Sequence, residues 1–145
     1  HKFPNPLNDP AGVRTIRLRR GGYLFQDNRT EWNATLLQSR LVQPSPEVFV
    51  RIVEVSVGNM GDGAFGYILA LGCRDGKLVT LFQHSGFGVG GVHVRAGAVV
   101  VDQRIWRKDE GVCCASLEGK FVYTWNPALN SYTAAEEPKI TRAAP

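Results

Sequence analysis

The sequence predicts a mostly β fold, or an α+β fold with at most one or two short helices, on three observations. Between residues 13 and 135 the apolar residues follow the two-residue period of strands far more than the helical period. Gly, Asp and Asn bound the apolar segments, as they do at strand ends. Asp75-Gly76 stands between two such segments and is a strong hairpin signal. Together they predict a curled antiparallel sheet around one core.

Eight segments carry this strand pattern, each rich in Val, Ile, Phe, Tyr or Thr: 13–19, 47–58, 65–73, 77–83, 91–95, 98–106, 120–125 and 131–135. The stretch "RTEWNATLLQSRLV" fits a helix or a strand equally well, because its Trp and Leu residues could line one helix face. We expect residues 1–12, with three prolines, to form an extended arm, residues 13–135 to form a single domain, and residues 136–145 to form a tail.

Charge and hydropathy limit the classes of partner. The 145 residues are 43% hydrophobic and 21% charged, with a net charge of +4, which is typical of one globular domain. The cluster "RTIRLRR" makes Arg14, Arg17 and Arg19 candidates for an anion-binding site, although a solvated strand face and turn is the simpler and preferred interpretation. Because no nucleic-acid-binding motif accompanies the cluster, no nucleic-acid partner is predicted. The sequence has no run of roughly 20 apolar residues, so no transmembrane segment is predicted.

The stretch "GFGVGG" matches the dinucleotide fingerprint at Gly86, Gly88 and Gly91. That motif binds a pyrophosphate only where a helix N-terminus follows it. Here the strand pattern "VHVRAGAVVV" follows, so we interpret the glycines as a connection between strands and predict no cofactor.

Candidates for metal binding or catalysis are few. Asn59 and Asp62 lie in a glycine-rich turn of the kind that can hold Ca²⁺, but with a single carboxylate. His84 and His93 flank the glycine stretch and could converge on a metal or serve a hydrolase. No HExxH, CxxC or G-x-S-x-G motif is present, so the sequence predicts neither a metal nor a catalytic residue.

The three cysteines allow two interpretations. Cys113 and Cys114 are adjacent, and neighbouring cysteines rarely bond to each other because the ring strains the intervening peptide bond. In an exported protein, Cys73 would therefore form a disulfide with Cys113 or with Cys114 and leave one thiol over. In a reduced compartment, all three would be inert thiols.

Residues 48 to 133 resemble the LppP/LprE-type exported lipoprotein domains of actinobacteria. The resemblance is carried by Cys113-Cys114 with Ser116, by the closing "YTWN" at residues 123 to 126, and by the apolar strands between the glycine turns. It implies export through a membrane and a cysteine bridge to the upstream strand. The chain departs from the family at Asn59, where Asp is usual, and at Ala115, where Pro is usual. No lipobox cysteine is present, and the family has no secure biochemical activity.

The function expected from these observations is a non-enzymatic extracytoplasmic module, periplasmic, cell-surface or secreted, that binds or supports a protein or glycan component and could self-associate. Its candidate contact residues include the aromatic side chains Tyr23, Trp32 and Phe87, with Phe25 beside them. The alternative is a small hydrolase or metal-dependent enzyme that uses His84 and His93. In a eukaryote or a glycosylating archaeon, Asn28 and Asn33 would also be N-glycosylation acceptors.

Overall fold

All the secondary structure in the described part of the computed structural model is β. The structure describes residues 2–4, 13–15, 19–27, 30–59, 64–111 and 114–143, and these residues include no helix. The predicted β class is therefore confirmed: two antiparallel sheets of five strands each carry the fold, and they do not close into a barrel. No helix in the described ranges is long and apolar enough to cross a membrane.

The first sheet follows chain order, with each strand antiparallel to the next. Its strands are β3 (Gly22–Asp27), β4 (Thr30–Ser45), β5 (Val48–Asn59), β6 (Ala64–Arg74) and β7 (Lys77–Phe87). In the second sheet, β8 (Val89–Arg95), β9 (Ala98–Ile105) and β10 (Leu117–Asn126) are neighbours, and β11 (Ser131–Ala134) and β12 (Lys139–Arg142) both pair with β10. A separate pair joins β1 (Lys2–Pro4) to β2 (Val13–Thr15).

The segment that fitted a helix or a strand is strand β4. Trp32, Ala34 and Leu36 alternate onto one face of the first sheet and pack beside β5, so the two-residue period decides the structure. Strand β12 falls inside the stretch expected to be a tail. It pairs with the first four residues of β10, a contact that residue composition alone does not reveal.

Tight turns join the strands where the sequence places flexible residues. The Asp75-Gly76 hairpin is confirmed: the two residues have φ values of 51° and 72°, which is the left-handed backbone of a two-residue hairpin. Ala96-Gly97 forms the corresponding turn between β8 and β9, with φ values of 47° and 80°. Four hairpin turns, β4–β5, β6–β7, β8–β9 and β10–β11, lie at the same end of the molecule, which we call the hairpin end.

The main core lies between the two sheets. Alternate residues of β5 and β6 face alternate residues of the second sheet, and these side chains are 0–4% exposed: Val50, Ile52, Ile68, Ala70, Val92, Val99, Val101 and Tyr132. Fully burying a single such apolar side chain stabilises a protein by roughly 1.5–3 kcal/mol. The opposite face of the first sheet carries a second buried cluster, made of Trp32, Ala34, Val55, Val57, Tyr67 and Leu69. Strands β5 and β6 are therefore apolar on both faces, which explains their nearly continuous hydrophobic sequence. Within this second cluster, burial raises the pKa of Tyr67 to about 12.

Gly88 connects the two sheets. Its N–H donates to the carbonyl oxygen of Ala64 in the first sheet at 3.5 Å, and its own carbonyl accepts the N–H of Arg104 in the second sheet at 2.8 Å. Its φ of 73° favours glycine, and a Cβ there would collide with the ring of Trp106. The "GFGVGG" stretch is therefore the crossing between sheets, with no helix after it to hold a phosphate.

Candidate functional site

His84 lies in the space between the two sheets, at the centre of a hydrogen-bond network. Its Nδ1 is 2.6 Å from the hydroxyl of Tyr123 on β10, and its Nε2 is 3.1 Å from Oε1 of Gln103 on β9. The amide nitrogen of Gln103 donates in turn to the carbonyl oxygen of Phe87 at 2.9 Å. Both nitrogens of the imidazole are therefore engaged by the protein, and this network ties β7 to β9 and β10.

Aromatic rings surround the imidazole of His84. Phe121 packs on it with a centroid distance of 4.8 Å, and the ring of Tyr123 lies at 5.7 Å. Burial lowers the pKa of His84 below its usual value, although the hydrogen bond that Oε1 of Gln103 accepts from the imidazole acts in the opposite direction. A neutral, hydrogen-bonded imidazole in an aromatic setting serves as a structural group that joins the sheets.

His93 lies on the outer face of the second sheet. Its Nε2 is 3.2 Å from Oδ2 of Asp102, and Nζ of Lys120 is 3.7 Å from the other oxygen, Oδ1. The side chains of His93 and Lys120 are 57% and 56% exposed, so water screens both contacts with Asp102. The group is a cross-strand charge cluster on a solvated surface.

The two histidines do not converge. His84 pairs with Ile68 on the inner face of the first sheet, whereas His93 lies opposite Val100 and points away from the inner residues Val99 and Val101. A shared metal or a shared active site requires both side chains in one pocket, and the second sheet lies between them. Among the described residues, no group of three His, Cys, Asp or Glu side chains could hold a metal ion.

The predicted contact residues fall in different places. Tyr23 on β3 is 41% exposed, but Trp32 is 5% exposed and belongs to the outer cluster of the first sheet, so its expected role as an exposed aromatic is wrong. Phe87 is half-buried and packs on Trp106 at a centroid distance of 4.8 Å. Trp32 shares one face of β4 with Ala34 and Leu36, and this part of the face is buried.

Of the arginine candidates, Arg19 is exposed in the turn before β3. Arg14 lies in β2, where only its backbone is described, and Arg17 lies outside the described residues. Phe25 is likewise placed by its backbone alone, in β3.

The described residues include some of the calcium and glycosylation candidates and not others. Asn59 ends β5, and Asp62 lies outside the described residues, as does Asn28. Asn33 is exposed on β4, where its Oδ1 accepts a hydrogen bond from Oγ1 of Thr35 at 3.0 Å. The interpretation of Asn33 as a glycosylation acceptor stays a prediction that depends on the source.

The predicted disulfide from Cys73 is not formed, since Cys73 is an exposed free cysteine at the end of β6. Cys114 lies three residues before Leu117, which pairs with Ile105 at the end of the sheets opposite the hairpin end. Eight residues of β6 separate Cys73 from Phe65 at that opposite end, a span of about 26 Å at the rise of a strand. A disulfide needs Cα atoms within about 7 Å. Cys113 lies outside the described residues.

An exposed apolar strip crosses the first sheet at the hairpin end. It consists of Leu41 on β4, Phe49 on β5, Cys73 on β6 and Leu78 on β7, and we call these four residues the apolar strip. The side chains of Leu41, Phe49 and Leu78 are 57%, 58% and 75% exposed, and Cys73 pairs directly with Leu78. The strip continues the outer buried cluster toward the hairpin end, where the same face meets solvent.

A cleft of about 200 Å³ opens next to the strip. It is lined by Glu47, Val48, Phe49, Gly72, Cys73, Leu81 and Asn130. The hydroxyl of Ser131 donates to the carbonyl oxygen of Leu81, which joins the β10–β11 turn to β7 and closes one side of the cleft. The cleft thus combines apolar walls with one carboxylate, one amide and the thiol of Cys73.

Sequence reasoning missed the strip and the partners of His84. Phe49, Leu78 and Tyr123 each belong to an alternating strand pattern, in which an outward apolar residue cannot be told from an inward one. A usable signal was present in "EVFVRIVEVSV", where both alternating sets are mostly apolar, because that pattern requires either two covered faces or one exposed apolar face.

Comparison of the chain with protein families, curated proteins and solved structures finds no match.

Proposed function

We propose that the protein is a non-enzymatic extracytoplasmic binding module that holds a protein component of the cell envelope against the apolar strip. The observation that carries the proposal is the exposure of Leu41, Phe49 and Leu78, on β4, β5 and β7, at the same end of one face of the first sheet. Covering a Leu or Phe side chain stabilises a contact by roughly 1.5–3 kcal/mol before association costs are counted. These three residues, with Cys73 on the strand between Phe49 and Leu78, form a patch of the kind that marks interaction sites.

The chemistry of the strip favours a protein over a glycan as the partner. A glycan needs hydrogen-bond donors and acceptors for its hydroxyl groups, whereas the strip presents aliphatic side chains and the phenyl ring of Phe49. A protein surface with its own apolar residues matches the strip, with Glu47 and Asn130 in the adjacent cleft as polar contacts at the rim.

The placement of the histidines supports a binding role over an enzymatic one. His84 joins the sheets from inside, and His93 lies in the solvated cluster with Asp102 and Lys120, so neither lines the described cleft at the hairpin end. The extracytoplasmic location is supported by the resemblance at Cys113-Cys114, Ser116 and residues 123 to 126. Fractionation of the native host tests it directly: recovery of the chain in the cytoplasm would contradict this part of the proposal.

The binding test uses the purified chain and the envelope fraction of its host. We expect the wild-type protein to sediment with the envelope, and the double variant Phe49→Ser/Leu78→Ser to bind about tenfold or more weakly, a loss of about 1.4 kcal/mol or more. Protease treatment of the envelope is expected to abolish binding, which identifies the partner as a protein.

The matched control is Leu24→Ser/Ile140→Ser, which removes two exposed apolar side chains outside the strip. We expect it to bind as the wild type does. The proposal would be contradicted if the strip variant bound as tightly as the wild type, or if binding survived protease treatment of the envelope. It would also be contradicted if the strip served only concentration-dependent self-association of the chain.

A further inference from the structure

Strand β4 is much longer than β3, the strand that pairs with it on the edge away from β5. It runs from Thr30 to Ser45, whereas β3 pairs with Thr30–Thr35 alone. The hydrogen bond from the N–H of Leu36 to the carbonyl oxygen of Gly21, at 2.6 Å, lies at the end of this pairing. No described strand pairs with residues 37–45 on the side away from β5. We call residues 37–43 the open edge.

Solvent exposure along the open edge agrees with the absence of a neighbouring strand. Leu37 and Leu41 are 56% and 57% exposed, and Ser39, Arg40 and Gln43 are also exposed. Seven residues at the rise of a strand span about 23 Å, the length of an ordinary strand. Every second residue of such a stretch directs its N–H and C=O away from β5, and these groups can pair with an added strand.

A β-bulge holds the open edge in place. The register of β4 with β5 shifts between Leu36 and Gln38, so that Leu37 is the extra residue and Gln38 turns inward. The amide nitrogen of Gln38 donates to Oε2 of the buried Glu54 at 2.5 Å and to the carbonyl oxygen of Val92 at 3.4 Å. These bonds anchor the start of the edge to β5 and to the second sheet, so the edge is already in strand form before any partner binds.

Arginines surround the open edge. Arg19 and Arg20 lie in the turn beside Leu36, and Arg40 lies on the edge itself. Arg51 on β5 is exposed, and its guanidinium donates to Oγ of Ser39 at 3.0 Å. Between residues 38 and 59 the carboxylates are the buried Glu54 and Glu47, which lies in the turn beyond the edge. The charge next to the edge is therefore positive.

We propose that the open edge of β4 binds an acidic, extended segment of a partner protein as an added β-strand. Backbone hydrogen bonds to residues 37–43 supply the pairing, and the arginines select carboxylates on the segment. The inference rests on the proposed function as a binding module and adds the mode of recognition and the chemistry of the partner. A second copy of the chain is a poor occupant, because pairing two such edges would bring like charges together and Pro44 would limit the register.

The test uses the full chain and synthetic nine-residue peptides in a fluorescence anisotropy titration. The probe alternates Glu with Val. We expect it to bind, and we expect the peptide with Lys in place of Glu to bind about tenfold or more weakly. The Glu/Val peptide N-methylated along its central five residues keeps its charge but loses its backbone donors, and it is expected not to bind. Hydrogen exchange is expected to slow at residues 37–43 when the Glu/Val peptide is added.

Two matched charge-reversal variants test whether the peptide binds at the open edge. Arg40→Glu is expected to weaken binding of the Glu/Val peptide about tenfold or more, whereas Arg95→Glu, at an exposed position on β8, is expected to change it less than about twofold. Because both side chains are exposed, both variants are expected to fold.

The strand-addition proposal would be overturned if the N-methylated peptide bound as tightly as the Glu/Val peptide, or if the two arginine variants lost the same affinity. Slower amide exchange outside residues 37–43 instead of within them would overturn it as well. Self-association through the edge, or equally tight binding of a single-stranded DNA oligonucleotide, would overturn it too. Failure of the peptide to bind, with envelope binding still dependent on Phe49 and Leu78, would overturn the edge proposal and leave the proposed function standing.

Discussion

The space between the sheets and the hairpin end of the outer face use their residues in opposite ways. Between the sheets, residues that could perform chemistry, such as His84 and Tyr123, satisfy one another in a structural network. At the hairpin end, residues that usually form a core, such as Phe49 and Leu78, face solvent. These two polar side chains thus hold the sheets together, whereas the apolar side chains at the hairpin end are exposed and available for the proposed contact.

The largest expected difference between these regions is in their response to truncation. Ile68→Ala, between the sheets at 0% exposure, is expected to lower the free energy of unfolding by about 2–5 kcal/mol, because it leaves a cavity in a packed core. Leu78→Ala in the apolar strip is expected to change it by less than about 0.5 kcal/mol. Urea denaturation of the two variants measures both effects. Equal losses would mean that the strip is part of the folded core.

An intermediate effect is expected at two tyrosines of the inter-sheet space. Tyr123→Phe removes the hydrogen bond to Nδ1 of His84, leaves a buried polar atom unpaired and is expected to cost about 1–3 kcal/mol. Tyr132→Phe is the control, since the buried hydroxyl of Tyr132 finds no hydrogen-bond partner among the described residues and its removal is expected to be neutral or stabilising. A larger loss for Tyr132→Phe in urea denaturation would contradict the structural role given to the His84 network.

The smallest expected effect is a pH dependence of stability that originates at His84. The pKa of His84 is lowered in the folded chain, so the unfolded state binds its proton more readily. The contribution of His84 to stability is fully present above pH 6.5, the ordinary pKa of histidine in an unfolded chain. It is lost as the pH falls toward and through the lower pKa of His84 in the folded chain. We expect the unfolding free energy of the wild type to fall more steeply between pH 7 and pH 5 than that of His84→Gln. A steeper slope in His84→Gln would contradict the assignment.

The fold was predictable to the extent that it depends on local patterns. Alternation over residues 47–58 and the Asp75-Gly76 turn each place an element, because strand period and turn conformation depend on neighbouring residues. Strand β12 was not predictable, since it exists by pairing with β10 and carries little apolar content of its own.

The site was less predictable, because alternation tells which residues share a face and does not tell which face is covered. Trp32 and Phe49 are both aromatic residues on outward positions of the first sheet, yet Trp32 is buried and Phe49 is exposed. The prediction of a disulfide at Cys73 was wrong for a related reason. The order of the segments along the chain does not reveal that Cys73 and Cys114 lie at opposite ends of the sheets.

The most direct test of the account measures stability and envelope binding on the same preparation of Phe49→Ser/Leu78→Ser. We predict an unfolding free energy within about 1 kcal/mol of the wild type, together with binding to the host envelope fraction that is weaker by about tenfold or more. Wild-type binding by a folded double variant would contradict the central claim that the apolar strip is the contact surface.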